Sequence, residues 1–219
     1  LGEVLELRGR GKEDSRGGGQ DLMVLGTHIM DLMRLLGGDA RWCFARAWQG
    51  GRPAVVPGDV RMGGEEIGPI LGDRITAVYG FDGPAVGHFA THKAKDGAGR
   101  RFGLFVHGSK GVVFLRTGTL PEAYFLDDPA WVPAKGTADW KPITSAGVGK
   151  PEPLKDGSLV AGNKLIVEDL FAAIEEDRRP RGSGYDGRAA LEMILAVYES
   201  HRQGRPVDLP LKNRKHPLR

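Results

Sequence analysis

Short apolar runs separated by turn residues follow one another through the middle of the chain. The runs are residues 74–81, 85–92, 102–107 and 112–116, and the turns include Asp82-Gly83 and the Gly-Ser-Lys-Gly stretch at 108–111. β-Branched and aromatic segments divided by glycine turns are typical of antiparallel strands. The pattern therefore predicts a meander of four strands, and residues 4–8 and 42–48 predict two more strands.

Both faces of these predicted strands carry apolar side chains. Phe105 lies on the face opposite Leu104, and neither face of residues 112–115 is polar. An antiparallel sheet with one face in water alternates apolar and polar residues instead. We therefore expect a second subunit to cover the outer face, so that the protein is a homo-oligomer through the sheet.

Three further segments have the apolar period of helices. Residues 21–36 are apolar nearly all round, which is typical of a buried helix, and Gly37-Gly38 ends it. Asn163 is the expected N-cap of a second helix and Asp186 that of a third, which ends at Gly204. Their expected inward residues are Ile166, Val167, Leu170, Phe171 and Ile174, and Ala190, Leu191, Ile194, Val197 and Tyr198.

The predicted fold class is α+β, with a largely antiparallel open β-sheet, helices packed on one face, and the other face available for oligomerisation. Two glycine- and proline-rich stretches, residues 50–72 and 129–158, predict long loops. Structureless connections of this length are uncommon in compact domains unless they are functional. Because Ile70, Trp131 and Trp140 give these stretches something to bury, we expect ordered arms.

The composition is that of a globular protein with its own core. The chain has 219 residues, 40% of them hydrophobic, and one cysteine. The lone Cys43 excludes an internal disulfide and the cysteine-rich zinc motifs. No apolar run approaches the ~18 residues of a membrane-spanning helix, so we expect no membrane partner and a cytoplasmic location.

The formal charge of +3 is concentrated at the C-terminus. The tail, residues 212–219, contains Lys212, Arg214, Lys215 and Arg219 and no acid, and the rest of the chain is nearly neutral. Nucleic-acid binding needs basic residues clustered on a face. We therefore expect no nucleic-acid partner and interpret the tail as a solvated terminus.

The first predicted helix holds the least ordinary residues in the chain. Three glycines, residues 17–19, precede it, Gly26 lies inside it, and His28 stands among apolar residues. Asp21 lies two helical turns before His28 and Asp31 nearly one turn after it. A histidine serves as general acid or base when a carboxylate orients it. From these residues alone, a core histidine satisfied by a backbone carbonyl or by Asp31 is the other interpretation.

Four motifs, in the same order, resemble the C-terminal domain of the glucose-fructose oxidoreductase and inositol dehydrogenase family (Gfo/Idh/MocA). They are the opening Leu-Gly-Glu-Val, the glycine-rich helix with its Gly-Thr-His-x-x-Asp-Leu stretch at 26–32, the Gly-Ser-Lys-Gly hairpin, and the segments at 186–191 and 207–211. The resemblance covers residues 1–211, followed by the basic tail.

The resemblance implies an NAD(P)-dependent oxidoreductase that acts on a sugar, cyclitol or similar polyol. Family members bind NAD or NADP in an N-terminal Rossmann domain, which this chain lacks, so we expect no cofactor-binding residues here. The Gly97-Ala98-Gly99 stretch precedes a predicted strand, which is the wrong context for a pyrophosphate-binding turn. By resemblance, His28 is the catalytic residue, with Asp21 and Thr27 as substrate-binding helpers.

One position departs from the family pattern. Many members have an aspartate four residues before the histidine, where this chain has Val24. Two other functions therefore stay open: an NAD-dependent glycoside-processing enzyme, and a non-catalytic assembly domain. We expect no metal site, because His88 and His92 share a strand face without a third ligand nearby, and we expect Arg100 and Arg101 to be solvated.

Overall fold

The computed structural model describes residues 1–94, 101–118, 122–132 and 139–219. It confirms the α+β class: an open, mostly antiparallel sheet carries helices on one face. The strands are β1 (Val4–Arg10), β2 (Ala40–Gln49), β3 (Arg52–Pro53), β4 (Arg61–Met62), β5 (Pro69–Ile70), β6 (Arg74–Phe81), β7 (Val86–His92), β8 (Gly103–Gly108), β9 (Gly111–Arg116), β10 (Glu122–Leu126), β11 (Lys141–Thr144), β12 (Gly147–Val148) and β13 (Val207–Asp208). The helices are α1 (Gly19–Val24), α2 (Gly26–Gly37), α3 (Leu159–Glu175) and α4 (Gly184–Gln203).

The predicted four-strand meander is wrong in one respect. The strand order is β12-β11-β10-β9-β8-β1-β7-β6-β2-β13, so β1 lies between β7 and β8. Leu7 of β1 pairs with Gly87 in parallel and with Val106 antiparallel. The buried Leu7 explains this central position, because a strand with a fully buried residue is more stable inside the sheet than at its edge.

Helices α2 and α4 cover one face of the sheet and enclose the core. Four of the five residues of α4 predicted to point inward are buried, Leu191 is exposed, and Met193 and Ala196 are buried as well. The five residues of α3 predicted to point inward are exposed. Polar bonds also fix α4 against the sheet: Tyr79 donates to the Met193 carbonyl at 3.1 Å, and the Ser200 hydroxyl accepts from Ala45 N at 2.9 Å.

The first predicted helix is two helices that meet at Leu25. The predicted helix was expected to be buried nearly all round, but Leu35 and Leu36 near the end of α2 are exposed. The break means that the seven-residue spacing of Asp21 and His28 does not place them on one helix face. Asp21 is fully buried in α1, whereas His28 is exposed on α2.

The predicted N-caps of the other two helices are also wrong. Ser158 caps α3 by accepting from Ala161 N, which places Asn163 inside the helix. Ser183 caps α4, and Asp186 completes a capping box from the third helical position. Serine followed three residues later by an acid is the signature of such a box. The αL C-cap of α4 at Gly204 is as predicted.

Both predicted loops contain short strands among their described residues, and the second contains β11 and β12. Residues 50–72 contain β3, β4 and β5, and Ile70 is fully buried. In the second loop, Trp131 donates from its indole N–H to the Gly108 carbonyl at 2.7 Å. The basic tail is not simply solvated: Leu218 is buried against the core, and Arg214 lies 2.7 Å from Glu192.

The face of the sheet opposite α2 and α4 bears a row of cross-strand neighbours, which we call the open face. The row is Phe44, Val78, His88, Arg8, Phe105, Phe114 and Tyr124. Phe105 and Phe114 stack with ring centroids 4.3 Å apart. The prediction that both sheet faces carry apolar residues is therefore confirmed, although Arg8 and His88 add polar groups to the row. Among the described residues, no helix combines the length and apolarity needed to cross a membrane.

Candidate active site

A groove of about 930 Å³ lies between α2 and the β9–β11 part of the sheet. Leu115 of β9 pairs with Ala123 of β10, which pairs with Ile143 of β11, so these three share one face and form an apolar floor. Leu25 and Leu32 border the groove from the helix side. None of the four described helices covers this part of the sheet, so the floor is open to a ligand.

His28 is exposed and lines this groove. It follows Gly26 by two residues on α2, whereas its neighbours Ile29 and Met30 point into the core. The imidazole meets the ring of Phe102 edge-on, with centroids 6.4 Å apart. Within the described residues nothing hydrogen-bonds the ring, and Asp31 instead lies 3.8 Å from Arg34. The interpretation of His28 as a satisfied core histidine is therefore wrong.

Charged side chains of both signs border the groove. Lys12, Asp31 and Glu152 line it together with His28. The Lys12 ammonium lies 3.5 Å from the Asp14 carboxylate. Glu152 accepts hydrogen bonds from the Ser145 hydroxyl and from backbone N–H groups, and these bonds lower the pKa of its carboxyl group. An ionised carboxylate therefore stays at the rim at neutral pH.

Three further polar residues border the groove at its strand side: Arg116, Glu122 and Tyr124. The strand register places their side chains on the face of Phe114, away from the apolar floor. They also satisfy one another, because Glu122 lies 2.6 Å from Arg116 and accepts from Tyr124 at 2.7 Å. The hydrogen bond to Glu122 raises the pKa of the Tyr124 phenol.

Asp21 lies beneath the groove and not in it. Its carboxylate is fully buried and accepts from Lys12 N at 3.2 Å, from Glu13 N at 3.1 Å and from the Thr91 hydroxyl at 2.5 Å. Both oxygens are therefore bound to the protein. Asp21 fixes the backbone of the loop from which Lys12 reaches the groove, and Lys12 itself carried no signal in the sequence beyond its place after β1.

Thr27 lies at the junction of α1 and α2. Its hydroxyl donates to the Val24 carbonyl at 2.9 Å, which satisfies an acceptor that the break at Leu25 would otherwise leave open. Val24 is half-buried in the last position of α1. The structure therefore presents no carboxylate at the position where many family members have an aspartate.

Glu13 is the centre of a buried ion cluster next to Asp21. Its carboxylate is fully buried and contacts Arg10, His92 Nδ1 at 3.1 Å and Arg101 at 3.0 Å. Arg101 is exposed, as predicted, and it also pairs with Glu13. Glu13 has a φ of 56°, a strained value for a residue with a side chain, and the cluster holds it there.

The two minor candidate sites have separate outcomes. Among the residues that the structure describes, no three histidine, cysteine or acidic side chains are grouped to hold a metal ion. His92 uses its Nδ1 on Glu13, and His88 is exposed on the open face. Arg100 and the Gly97-Ala98-Gly99 stretch lie outside the described residues.

Comparison with known families agrees with this architecture. The model of the Gfo/Idh/MocA oxidoreductase family, C-terminal alpha/beta domain, matches residues 8–209. The chain belongs to the Gfo/Idh/MocA family. The resemblance drawn from the motifs is thereby confirmed, and this Gfo/Idh/MocA domain accounts for nearly the whole sequence.

Solved structures similar to this Gfo/Idh/MocA domain are longer than it. An oxidoreductase domain protein from Kribbella flavida has 22% identity and a TM-score of 0.65, with 96% of this chain and 60% of that chain covered. A levoglucosan dehydrogenase in complex with NADH and levoglucosan has 21% identity and a TM-score of 0.64, with the same coverage. These likenesses show the fold, and this chain spans about 60% of the length of those proteins.

Two further matches concern oxidoreductases. The WlbA dehydrogenase from Bordetella pertussis, in complex with NADH and UDP-GlcNAcA, has 16% identity and a TM-score of 0.56, with 96% of this chain and 57% of that chain covered. A 64-residue segment is 36% identical to NAD(P)H-quinone oxidoreductase subunit O of Prochlorococcus marinus (strain MIT 9211), covering 29% of this chain and 78% of that protein. The family assignment rests on residues 8–209 and not on this short segment.

Proposed function

We propose that this domain is the substrate-binding and dimerisation half of an NAD(P)-dependent oxidoreductase that acts on a sugar, cyclitol or similar polyol. The observation that carries the proposal is the exposed imidazole of His28 in the large groove, with no hydrogen-bond partner among the described residues. A general acid or base must reach the reacting group, and an exposed ring at the wall of a groove meets that requirement.

The groove suits a polyol in both its polar and apolar parts. Hydroxyl groups donate to carboxylates such as Asp31 and Glu152 and accept from an ammonium such as Lys12. The apolar floor of Leu115 and Ile143 suits the C–H faces of a ring. Solved relatives in complex with levoglucosan and with UDP-GlcNAcA agree with a carbohydrate-like substrate.

His28 is the proposed proton acceptor in alcohol oxidation. A bound nicotinamide cofactor would supply the acceptor for the hydride on the carbinol carbon. His28 takes the proton from the hydroxyl on that carbon, so that the alcohol becomes a carbonyl compound, and it returns the proton in the reverse direction. Proton transfer by a positioned side chain contributes about 10²–10⁴-fold to the rate.

Asp21 and Thr27 have indirect roles in this proposal. Asp21 has no free oxygen for a substrate, so we assign it to holding the loop that carries Lys12. Thr27 donates to Val24 and stabilises the start of the helix that carries His28. Lys12 replaces both as the proposed substrate contact.

The groove also has room for the reactive end of a cofactor. Its volume of about 930 Å³ is at the upper end of small-molecule sites, and its walls include the apolar side chains of Leu25, Leu32 and Phe102. An apolar wall fits the flat face of a nicotinamide ring. We assign the binding of the nucleotide part of NAD or NADP to a Rossmann domain outside these 219 residues.

The open face is the proposed dimer interface. Phe44 and Val78 lie in the same cross-strand row as Phe105 and Phe114, on the two sides of His88 and Arg8. Apolar and aromatic residues enriched on an exposed face are typical of a protein–protein interface. A dimer through the open face leaves the apolar floor of the groove accessible, because Leu115, Ala123 and Ile143 lie on the other face of the sheet.

The test is turnover of the natural enzyme that contains both this domain and its nucleotide-binding domain. We expect His28→Ala to lower kcat about 10²–10⁴-fold with most substrates and free imidazole to restore part of the rate. His88→Ala removes an imidazole from the open face and is the matched control. Unchanged kcat in His28→Ala on every active substrate would overturn the catalytic assignment and favour a non-catalytic assembly domain.

A further inference from the structure

Three consecutive glycines before α1 pack the loop after β1 against two other segments of the backbone. A Cβ at Gly17 would lie 2.5 Å from the His92 carbonyl oxygen, and a Cβ at Gly18 would lie 2.5 Å from the Gly72 carbonyl oxygen. Gly19 N donates to this Gly72 carbonyl at 2.9 Å. Only glycine permits backbones to approach so closely. The glycine motif thus holds the loop against the end of β7 and the start of β6.

A polar pocket of about 340 Å³ lies at this junction. The seven described residues that line it are all polar, and none of them lines the groove of His28. Arg16, Arg61 and Lys93 are cationic, and Asp73 is the one carboxylate of the seven. The volume is at the lower end of the range for small-molecule sites. The pocket is therefore a second candidate binding site, apart from the proposed active site.

Hydrogen bonds fix the walls of this pocket. The Gln20 side chain donates to the Gly64 carbonyl at 3.2 Å and accepts from Gly64 N at 2.9 Å, which ties the segment that carries Arg61 to the start of α1. Lys93 N donates to the Asp73 carbonyl at 2.7 Å, so the end of β7 is held beside the start of β6. A site whose backbone is already held in place loses little conformational entropy when a ligand binds.

The positive charge of the pocket is only partly neutralised. Arg16 binds the Asp14 carboxylate at 2.7 Å, and a second carboxylate lies 3.6 Å from its guanidinium. The Asp73 carboxylate accepts from a backbone N–H at 2.8 Å. Arg61 and Lys93 are exposed, and none of the ion pairs within the described residues includes them. Their charges are therefore free to attract an anion.

An aromatic side chain lies next to this pocket. A smaller pocket of about 150 Å³ shares Asp73 and Lys93 with it and is also lined by Trp48 and Arg74. Trp48 is half-buried, which leaves part of its side chain accessible. A flat aromatic surface packs well against the C–H groups of an organic ligand. The two pockets together can hold an anionic group and a small organic group attached to it.

We propose that the pocket of Arg61 and Lys93, which we call the phosphate pocket, binds a phosphate group. A phosphate group carries about 1.5–2 negative charges at neutral pH and accepts hydrogen bonds in several directions. It thereby matches a guanidinium and an ammonium that come from different segments of the chain. The Ser15 hydroxyl and the Gln49 amide, which also line the pocket, are further donors. Inorganic phosphate and a small phosphate monoester share this chemistry, and Trp48 favours the monoester.

The test is isothermal titration calorimetry of the natural full-length protein with inorganic phosphate and with glucose 6-phosphate, in a phosphate-free buffer of low ionic strength. We expect both ligands to bind, because the phosphate group is what the pocket recognises. Tighter binding of glucose 6-phosphate supports a monoester as the ligand, and equal affinities support free phosphate. If neither ligand binds, the proposal is overturned.

Substitutions locate the bound phosphate. Lys93→Gln and Arg61→Gln each remove a charge-assisted hydrogen bond, so we expect each to weaken binding about 10-fold and the double variant to abolish it. Both side chains are exposed, so the Tm without ligand is expected to stay within about 1 °C of the parent. Lys110→Gln removes the same charge at the β8–β9 turn, at the opposite end of the sheet, and is the matched control. It is expected to leave the affinity unchanged.

Three results with these variants overturn the proposal. Unchanged affinity in the double variant places the phosphate elsewhere in the protein. An equal loss of affinity in Lys110→Gln shows that only the net charge matters. A loss in Lys12→Gln as large as that in Lys93→Gln places the phosphate in the groove of His28. Phosphate binding that depends on Lys93 supports the phosphate pocket whether or not turnover depends on His28, so the two proposals fail separately.

Discussion

Asp21 and Thr91, seventy positions apart in the chain, form a buried hydrogen bond of 2.5 Å between carboxylate and hydroxyl. The same carboxylate accepts the backbone N–H groups of Lys12 and Glu13. One side chain thus joins α1, β7 and the loop after β1. Since hydrogen bonds to a charged group contribute about 1.5–3 kcal/mol each, this junction is a main support of the groove.

Asp21→Asn is expected to lower the free energy of unfolding by about 2–4 kcal/mol. The amide cannot accept at both oxygen positions, and its NH₂ group faces donors instead of acceptors. Urea denaturation of residues 1–219 measures the change. Asp31→Asn, at an exposed position on α2, is the control and is expected to change stability by less than about 0.5 kcal/mol. Equal effects of the two substitutions would contradict the structural role of Asp21.

Substitution by alanine at Gly17 and at Gly187 is expected to change the free energy of unfolding in opposite directions. A Cβ at Gly17 would lie 2.5 Å from the His92 carbonyl oxygen, so the backbone must move, and we expect a loss of about 2 kcal/mol or more. Gly187 lies in α4 with nothing within 4 Å of an added Cβ. At this position alanine is expected to raise the free energy of unfolding by about 0.5–1 kcal/mol, because alanine is a better helix former than glycine. Thermal or urea unfolding checks both signs.

The sequence predicted the local elements more reliably than their partners. Residues 74–81 were predicted as a strand with the observed bounds, because alternation is a local property. The insertion of β1 beside β7 depends on a parallel pairing of residues about eighty positions apart, which no local pattern encodes. The exposure of α3 likewise could not be predicted, because an apolar stripe indicates burial without naming the partner.

In the candidate site, too, the sequence predicted what a local motif encodes and missed what depends on tertiary contacts. The motif drew attention to His28, and the structure places this residue at the groove. Asp21 was predicted to lie two turns before His28 on one helix, and this failed because the helix breaks at Leu25. Lys12 was missed because it belongs to no motif. Its presence at the groove follows from the buried bond between its backbone N–H and Asp21, which is a tertiary contact.

Stability is expected to fall as the pH is lowered from 7.5 to 5.5. His201 is buried, with Nδ1 accepting from Ala47 N and Nε2 facing the Ala54 carbonyl, and burial lowers its pKa below the ordinary value. Burial also lowers the pKa values of His107 and His216. The unfolded chain therefore takes up protons first as the pH falls through about 6.5, which favours unfolding.

Urea denaturation across this pH range measures the slope. Each unit by which a folded-state pKa lies below the unfolded value contributes about 1.4 kcal/mol to the loss. His201→Gln is expected to be less stable than the parent at pH 7.5 and to lose less on acidification, since one of the three protonation sites is gone. A parent protein whose stability rises on acidification over this range would contradict the buried neutral state of these histidines.

Val78 lies in the row of the open face, between Phe44 on β2 and His88 on β7. If this face joins two copies, a lysine at position 78 puts an unpaired charge into a desolvated interface, which costs several kcal/mol. We expect Val78→Lys to convert the protein from a mass near twice 23.6 kDa to a monomer in sedimentation experiments. Leu35→Lys, at a 77% exposed position on α2, is the control and should leave the mass unchanged. A parent protein that is strictly monomeric at high concentration would show that the open face is not a dimer interface, and loss of dimer in both variants would show that the interface lies elsewhere.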